Sequence, residues 1–239
     1  MVEPALLLGI DTCGPAGSVA LGRLVALRCL TGPNPEIAVE ILGQTELAGR
    51  SYSATLVAAV GDLLAQAGTR LDLLHAIVIV NGPGSFTGVR VGLSAVKGLT
   101  EGAGIPVVAV SRLEVLAWKA GLVASALDAQ RGEVFLRTAA EGSAAKELLA
   151  GTEELAGTDP APARIAVCED SAATLLGKAW PTTEIAKAEA PTAGDALRLC
   201  AARVARGEFV DAALLDGHYL RRSDAEIFGT LSAVGPRRT

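Results

Sequence analysis

The run from Ala76 to Val80 is continuously apolar, and the segment Asn81-Gly82-Pro83-Gly84-Ser85-Phe86-Thr87-Gly88-Val89-Arg90 comes after it without a spacer. A strand with no polar alternation is one covered on both faces, which places it in the middle of a sheet with further layers on either side. Thr87 to Thr100 then repeats apolar residues at helical spacing, so the Gly-rich segment is a strand-to-helix turn. A buried strand feeding a helix through such a turn restricts the chain to layered α/β architectures. With 239 residues, half of them hydrophobic, there is material for one large domain or two small ones, and disorder is excluded.

The rest of the chain fits this class. Ala5 to Ile10 reads as a strand, with a Gly14-Pro15 turn into a hairpin partner spanning Ser18 to Leu30. Pro33 and Pro35 break the chain before a strand-like stretch, Ile37 to Leu42. Ser53 to Ala67 carries Leu56, Val60, Leu63, Leu64 and Ala67 at helical spacing and stops on Gly68. Beyond the Gly-rich helix come a strand at Pro106 to Val110, a helix at Arg112 to Ala120, and a strand at Leu122 to Ala129. Gln130, Arg131 and Gly132 turn into Glu133 to Thr138, and Ala139 to Ala163 has the composition of a long loop. Strands at Arg164 to Cys168 and Thr183 to Ala186 then alternate with helices at Ser171 to Lys178 and Ala193 to Arg206. A hairpin followed by alternating elements, met twice, suggests two related halves joined near Gly104 to Pro106.

Composition excludes several functions. The net charge is −5 and aromatics make up 3% of the chain, which argues against a surface that neutralises phosphates or stacks bases by itself. Mean hydropathy is +0.41, yet the apolar runs are strand length, short of the ~20 residues that span a bilayer. No basic segment precedes Ala5 to Ile10, so the cytoplasm is expected. Cys13, Cys29, Cys168 and Cys200 form no C-x-x-C pair and read as buried apolar side chains.

Two turns carry chemistry. At Gly9-Ile10-Asp11-Thr12-Cys13-Gly14 a buried strand ends on a carboxylate and a hydroxyl at the lip of a sheet, where α/β proteins place ligand groups. Asp11 there can hold a metal ion or a water near a phosphate, or Asp11 and Thr12 can hydrogen-bond the tight turn itself. In the second turn Gly82 and Gly84 allow backbone closed to other residues, and Ser85 or Thr87 caps the helix and leaves N–H groups facing outward. That is either an anion site or a tight connection; it has neither the Walker ending nor the spacing of a dinucleotide fingerprint.

The run Gly82 to Arg90, with Gly92, Lys97 and Gly98 after it, closely resembles the signature of the bacterial TsaB (YeaZ-like) family of tRNA threonylcarbamoyladenosine biosynthesis proteins. Gly9 to Thr12 with Ser18 to Leu21, Leu127 to Phe135, and Tyr219 to Arg222 match in order, so the resemblance covers most of the chain. It departs at Tyr52, where relatives often carry His, and at Asp216-Gly217-His218, where a Pro commonly precedes the Tyr-Leu-Arg segment. The resemblance implies the actin-like ATPase fold, in two ribonuclease H-like lobes of which the second is reduced: residues 1–104, then 105–222, then a tail at 223–239.

It further implies a supporting subunit rather than a catalyst. Its partner would be the paralogue TsaD, which with the ATPase TsaE adds threonylcarbamoyl to N6 of adenosine 37 in tRNAs reading codons that start with A. The chain would dimerise in the absence of TsaD and meet tRNA only through the complex. The catalytic relative binds a metal through a His-x-x-x-His pair; this chain has only His75 and His218, far apart, so no metal and no catalytic residues are expected. The competing reading is an autonomous ATPase or kinase with Asp11, Thr12, Gly82, Gly84, Ser85 and Thr87 as its phosphate face. Against it, the second half lacks an evident adenosine-binding Gly motif, leaving ATP or ADP only at the complex interface. The helix after Gly88 is apolar on two sides, and Leu56, Val60, Val89, Gly92, Leu93, Val96 and Leu99 are expected to form the partner and dimer surface. The same pattern equally describes helices sandwiched in a core. Arg90, Asp128, Arg131, Gly132, Glu133, Tyr219 and Arg221 are expected to be structural, with Arg131 and Glu133 bonding between the lobes. The basic pairs Arg221-Arg222 and Arg237-Arg238 are candidates to touch tRNA phosphates, and a frayed, solvated tail explains the last pair as well.

Overall fold

In the computed structural model of the chain, described over residues 5–27, 36–49, 51–139 and 143–221, alternation of burial builds two five-stranded sheets. The Pro33/Pro35 break, Cys29, Arg222, Arg237, Arg238 and the 223–239 tail lie outside the described residues. The first sheet holds β1 (Leu6–Asp11), β2 (Ala16–Leu27), β3 (Glu36–Ala48), β4 (Leu74–Val80) and β5 (Val107–Val110) in the order β3-β2-β1-β4-β5. The β1–β2 and β2–β3 pairs are antiparallel, while β4 and β5 run parallel to β1. Helices α1 (Tyr52–Gln66) and α2 (Phe86–Ala103) pack against this sheet and each other, and α6 (Ala193–Ala205) lies across all five of its strands. Ile77 to Val80, between these layers, are buried on both faces, which is why they show no polar alternation.

The second sheet contains β6 (Ser125–Asp128), β7 (Val134–Thr138), β8 (Lys146–Ala150), β9 (Arg164–Val167) and β10 (Glu184–Lys187), ordered β10-β9-β6-β7-β8. Its two faces obey the period of two. Ala126, Val134, Leu136, Ile165 and Val167 pack with α4 (Thr152–Ala156) and α5 (Asp170–Ala179). Leu127, Phe135 and Ala166 turn the other way onto Leu113 and Leu116 of α3 (Arg112–Lys119). In chain order both sheets read third, second, first, fourth, fifth, with the same strand directions. This is the duplicated ribonuclease H-like arrangement implied by the resemblance, with shorter strands and a five-residue α4 in the second copy.

Two expectations need correction. The division at 104 cuts a lobe: β5 hydrogen-bonds to β4 in the first sheet, and α6 leaves the second half to cover that same sheet, because its stripe of Ala193, Ala196, Leu197, Cys200 and Val204 is the apolar surface that fills it. The stretch from 139 to 163 is not all loop. Leu148 and Leu149 form half-buried β8, and Leu155 on α4 is fully buried; the Gly, Thr and Pro flanking these short elements hid them.

Candidate functional site

The end of β1 and the Gly-rich turn meet backbone to backbone. Ser85 N donates to Cys13 O at 2.8 Å, and Thr12 Oγ1 donates to Gly88 O at 2.7 Å. A Cβ on Gly84 would stand 2.2 Å from Cys13 O and one on Gly88 2.0 Å from Thr12 O, so glycine is what permits this approach. Ser85 caps α2, its Oγ accepting from Gly88 N at 3.2 Å. The expected phosphate face is therefore not assembled as one surface. Asp11 and Thr12 are buried under the turn, and Gly82 packs on the His218 backbone, while Gly84, Ser85 and Thr87 line a cleft.

Beneath the turn, Asp11 pairs with Arg112 of α3, Nε to Oδ2 at 3.5 Å, both essentially without solvent contact. Burial pushes the Asp11 carboxyl up against the pull of Arg112 and the hydrogen bond from Cys13 N at 2.8 Å. The pair fixes the end of the first sheet to the helix that opens the second lobe. Among the described residues no group of three or more His, Cys, Asp or Glu side chains could hold a metal ion.

A cleft of about 1060 Å³ separates the lobes above this pair. The segment 210–221 crosses it as a strap. Val210 N donates to Val107 O at 2.8 Å, and His218 N donates to Asn81 O at 2.7 Å, both in the first lobe. His218 Nε2 then meets Glu147 Oε2 of the second lobe at 2.7 Å, and Arg221 pairs with Glu133. Glu147 also accepts from Ser111 Oγ at 2.6 Å and Arg137 Nη1 at 2.6 Å. Burial acts to raise its pKa, but the bonds from His218, Ser111 and Arg137 outweigh it and hold the carboxyl below its usual range. Glu133 thus ties the strap to the second lobe. Asp128 binds its own turn, accepting from Gln130 N at 2.7 Å and from Ser171 Oγ at 2.7 Å, where Gln130, Arg131 and Gly132 all have positive φ. The Tyr219 ring lies 5.1 Å from that of Phe86, and Arg90 stacks on Phe86 as well, its Cζ 4.0 Å from the ring centroid.

Beside the cleft runs an open groove of about 620 Å³ between α1 and α2, walled by Leu56, Val57, Phe86, Arg90, Val91 and Ala95 among others. Most of the partner surface expected from sequence faces the other way. Leu56, Val60, Val89, Leu93 and Val96 are core residues, 0–6% exposed, and a Cβ on Gly92 would meet Thr12 Oγ1 at 2.4 Å. Leu99 is half-buried against that core. The outer face belongs instead to Val57, 62% exposed, with Ser53, Phe86, Thr87, Arg90 and Ser94. The outer face also carries apolar residues, among them Val57, Val91 and Ala95, so spacing located the helices without choosing between the faces. Arg112 and Glu147 were missed altogether; with Ser111, Glu114 and Lys146 as polar neighbours, nothing local sets them apart. At Tyr52, one of the departures from the relatives, the hydroxyl donates to Gly14 O at 2.8 Å, and burial pushes the phenol up to about 12.

Two ribonuclease H-like lobes facing across a cleft, with a Gly-rich turn at the end of the first sheet, define a protein of the actin-like ATPase fold. A family model described as TsaD, tRNA N6-adenosine threonylcarbamoyltransferase, matches residues 40–167, just over half of the chain. The Escherichia coli (strain K12) protein described as tRNA threonylcarbamoyladenosine biosynthesis protein TsaB is 40% identical over 135 residues, 54% of this chain and 52% of its own length. A tRNA N6-adenosine threonylcarbamoyltransferase of Ruegeria sp. (strain TM1040) is 33% identical over 125 residues, 47% of this chain and 33% of its own. The structure of YeaZ from Pseudomonas aeruginosa superposes with a TM-score of 0.64 at 29% identity, covering 90% of this chain and all of that one. The chain belongs to the TsaB/YeaZ family. It spans about half the length of the curated relatives it matches. Among the described residues no helix is long and apolar enough to cross a membrane.

Proposed function

We propose that this protein is a non-catalytic subunit in the formation of threonylcarbamoyladenosine on tRNA, acting by binding TsaD through the outer faces of α1 and α2. The observation that carries the reading is the groove: Val57, Phe86, Val91 and Ala95 stand at its wall, with Val57 62% exposed, on helices whose inner faces are already used by the core. An apolar strip of this kind on a soluble surface is the mark of a docking site. A second copy takes the same groove when TsaD is absent, and TsaE and tRNA engage through the complex, in the cytoplasm. ATP or ADP enters at the interface with TsaD, consistent with Asp11 and Thr12 being closed beneath the turn in this chain. An autonomous ATPase is not favoured, for the same reason.

The test is a titration of this protein against TsaD of the same organism by light-scattering mass and calorimetry, with Val57→Glu beside the wild type. A defined complex that replaces any homodimer and is weakened at least about thirtyfold by Val57→Glu, a cost of about 2 kcal/mol, supports the reading. Absence of a complex, or ATP turnover by this chain alone, overturns it.

A further inference from the structure

The strap at 210–221 is held to the two lobes by different means. Its backbone belongs to the first lobe: besides the bonds to Val107 and Asn81, Asn81 Nδ2 donates to Asp216 O at 3.2 Å, and Leu215 is buried in that lobe's core. A Cβ on Gly82 would stand 2.9 Å from His218 O, so the turn after β4 lies directly against the strap. From His218 onward, side chains reach both lobes. His218 meets Glu147, Leu220 packs on the cluster of Leu113, Leu127 and Phe135, and Arg221 pairs with Glu133, all in the second lobe. Tyr219, between them, turns back onto Phe86 of the first. Residues 218–221 all line the cleft, so the lobes cannot part along this wall without breaking these contacts. Glu147 is 7% exposed and has three partners, whereas Arg221 and Glu133 are 26% and 33% exposed, which makes their pair the place where release begins. Phe86 lines the α1–α2 groove as well as the cleft.

We propose that residues 218–221 are a latch that holds the lobes together along the cleft and, through Tyr219 on Phe86, fixes one wall of the α1–α2 groove. Latched, Phe86 is held in place for a docking partner. Unlatched, the cleft opens and the groove loses the support of that wall. Such coupling is reciprocal: the factor by which latching raises partner affinity is the factor by which a docked partner favours the latched state. The latch stands on the contacts above; that the partner it favours is TsaD rests on the function proposed in the preceding subsection.

The test is hydrogen–deuterium exchange, read by peptide mass, on the full chain with Arg221→Glu, Glu133→Arg and the double exchange Arg221→Glu/Glu133→Arg. Each single variant turns an attractive pair into a like-charge one and is expected to speed exchange about tenfold in three places together. These are the strap at 216–221, the first-lobe turn at 82–88, where Ser85 N donates to Cys13 O, and the second-lobe hairpin at 127–135, where Ala129 N donates to Glu133 O. The double variant restores the pair with its charges swapped and should return all three to the wild-type rate. Singles that match wild type overturn the latch. So does acceleration confined to the strap, which is local fraying, and so does acceleration that the swap fails to reverse. Phe86→Leu tests the coupling without a partner: it should speed exchange in the 127–135 hairpin as well as in the strap, and a hairpin that keeps its wild-type rate severs groove from latch. A final calorimetric arm titrates TsaD into each protein, with affinity expected to fall about tenfold in the singles and to recover in the double. Equal affinities overturn the coupling. Failure of TsaD to bind even the wild type counts against the proposed function and leaves the latch as the exchange arms decided it.

Discussion

Gly88→Ala and Gly98→Ala make the same chemical change on the same helix and are expected to act in opposite directions. At position 98 an added Cβ meets nothing within 4 Å, so the variant gains only the helix preference of Ala over Gly, about 0.8 kcal/mol. At position 88 the Cβ would sit 2.0 Å from Thr12 O, where ordinary contact begins at 3.4 Å. The neighbour is backbone at the end of a central strand and has no rotamer to change. The start of α2 and the end of β1 must therefore part by about 1.4 Å. That movement breaks the Thr12-to-Gly88 and Ser85-to-Cys13 hydrogen bonds, at about 1 kcal/mol each, and disturbs tight packing at a cost of about 1–3 kcal/mol. After the propensity gain, Gly88→Ala is expected to destabilise by about 2–4 kcal/mol. For a chain of this size, at about 2–4 °C per kcal/mol, the thermal midpoint should fall by about 5–15 °C for Gly88→Ala and rise by about 2–3 °C for Gly98→Ala. Differential scanning calorimetry of the three proteins at one concentration measures this. A Gly88→Ala midpoint equal to or above wild type would refute the backbone approach that shapes the cleft floor.

The same geometry sets three further outcomes. Val96→Glu places a carboxylate where no solvent reaches and should cost about 4 kcal/mol or more, whereas Val57→Glu on the outer face should stay within about 0.5 kcal/mol; urea melts that rank the two alike would reverse the assignment of faces. Arg112→Met leaves Asp11 buried without its partner and should lose about 3 kcal/mol, with Asp11→Leu/Arg112→Met recovering part of it in the same melts. Glu147 is held below its usual 4.5 in the folded state, so the stability it contributes is present above that pH and is lost as pH falls through the lowered folded value. The stability difference between wild type and Glu147→Gln should therefore narrow as pH falls below 4.5, and a difference that stays constant would count against the Glu147 cluster.

Most elements were readable because their apolar periods are unmixed. The run Ala76 to Val80 and the Gly-bearing turn after it named a central strand and a capped helix, and that unit stands in the structure as β4 and α2. Legibility failed where a period has two solutions or where an element is shorter than its period needs. On α2, Val91 and Ala95 are apolar like Leu93 and Val96, so only the position of the sheet decides which pair is inside. β8 and α4 are five residues each, too short for alternation or helical spacing to stand out among Gly, Thr and Pro. Pairs such as Asp11 with Arg112 and Glu147 with His218 join residues 101 and 71 positions apart, and no local pattern encodes them. The loss of the expected phosphate face has the same origin: Gly84 and Gly88 permit either an anion or another backbone to come close, and here it is Thr12 and Cys13 that come close.

The return of α6 to the first sheet bears on how the protein is made. All five strands of that sheet are complete once Val110 has been synthesised, but the helix lying across them starts at Ala193. Gly9 has no side chain where a Cβ would stand 2.8 Å from Ala193 O, and Leu7, Ile77 and Val108 belong to the same core cluster as Leu197 and Cys200. At about 5–20 residues per second, the ribosome needs about 4–17 s to pass from β5 to α6. During that interval one face of the first sheet is without its own cover, while the strands of the second lobe are being made. Until α6 emerges, that face is transiently exposed apolar surface of the kind that favours aggregation.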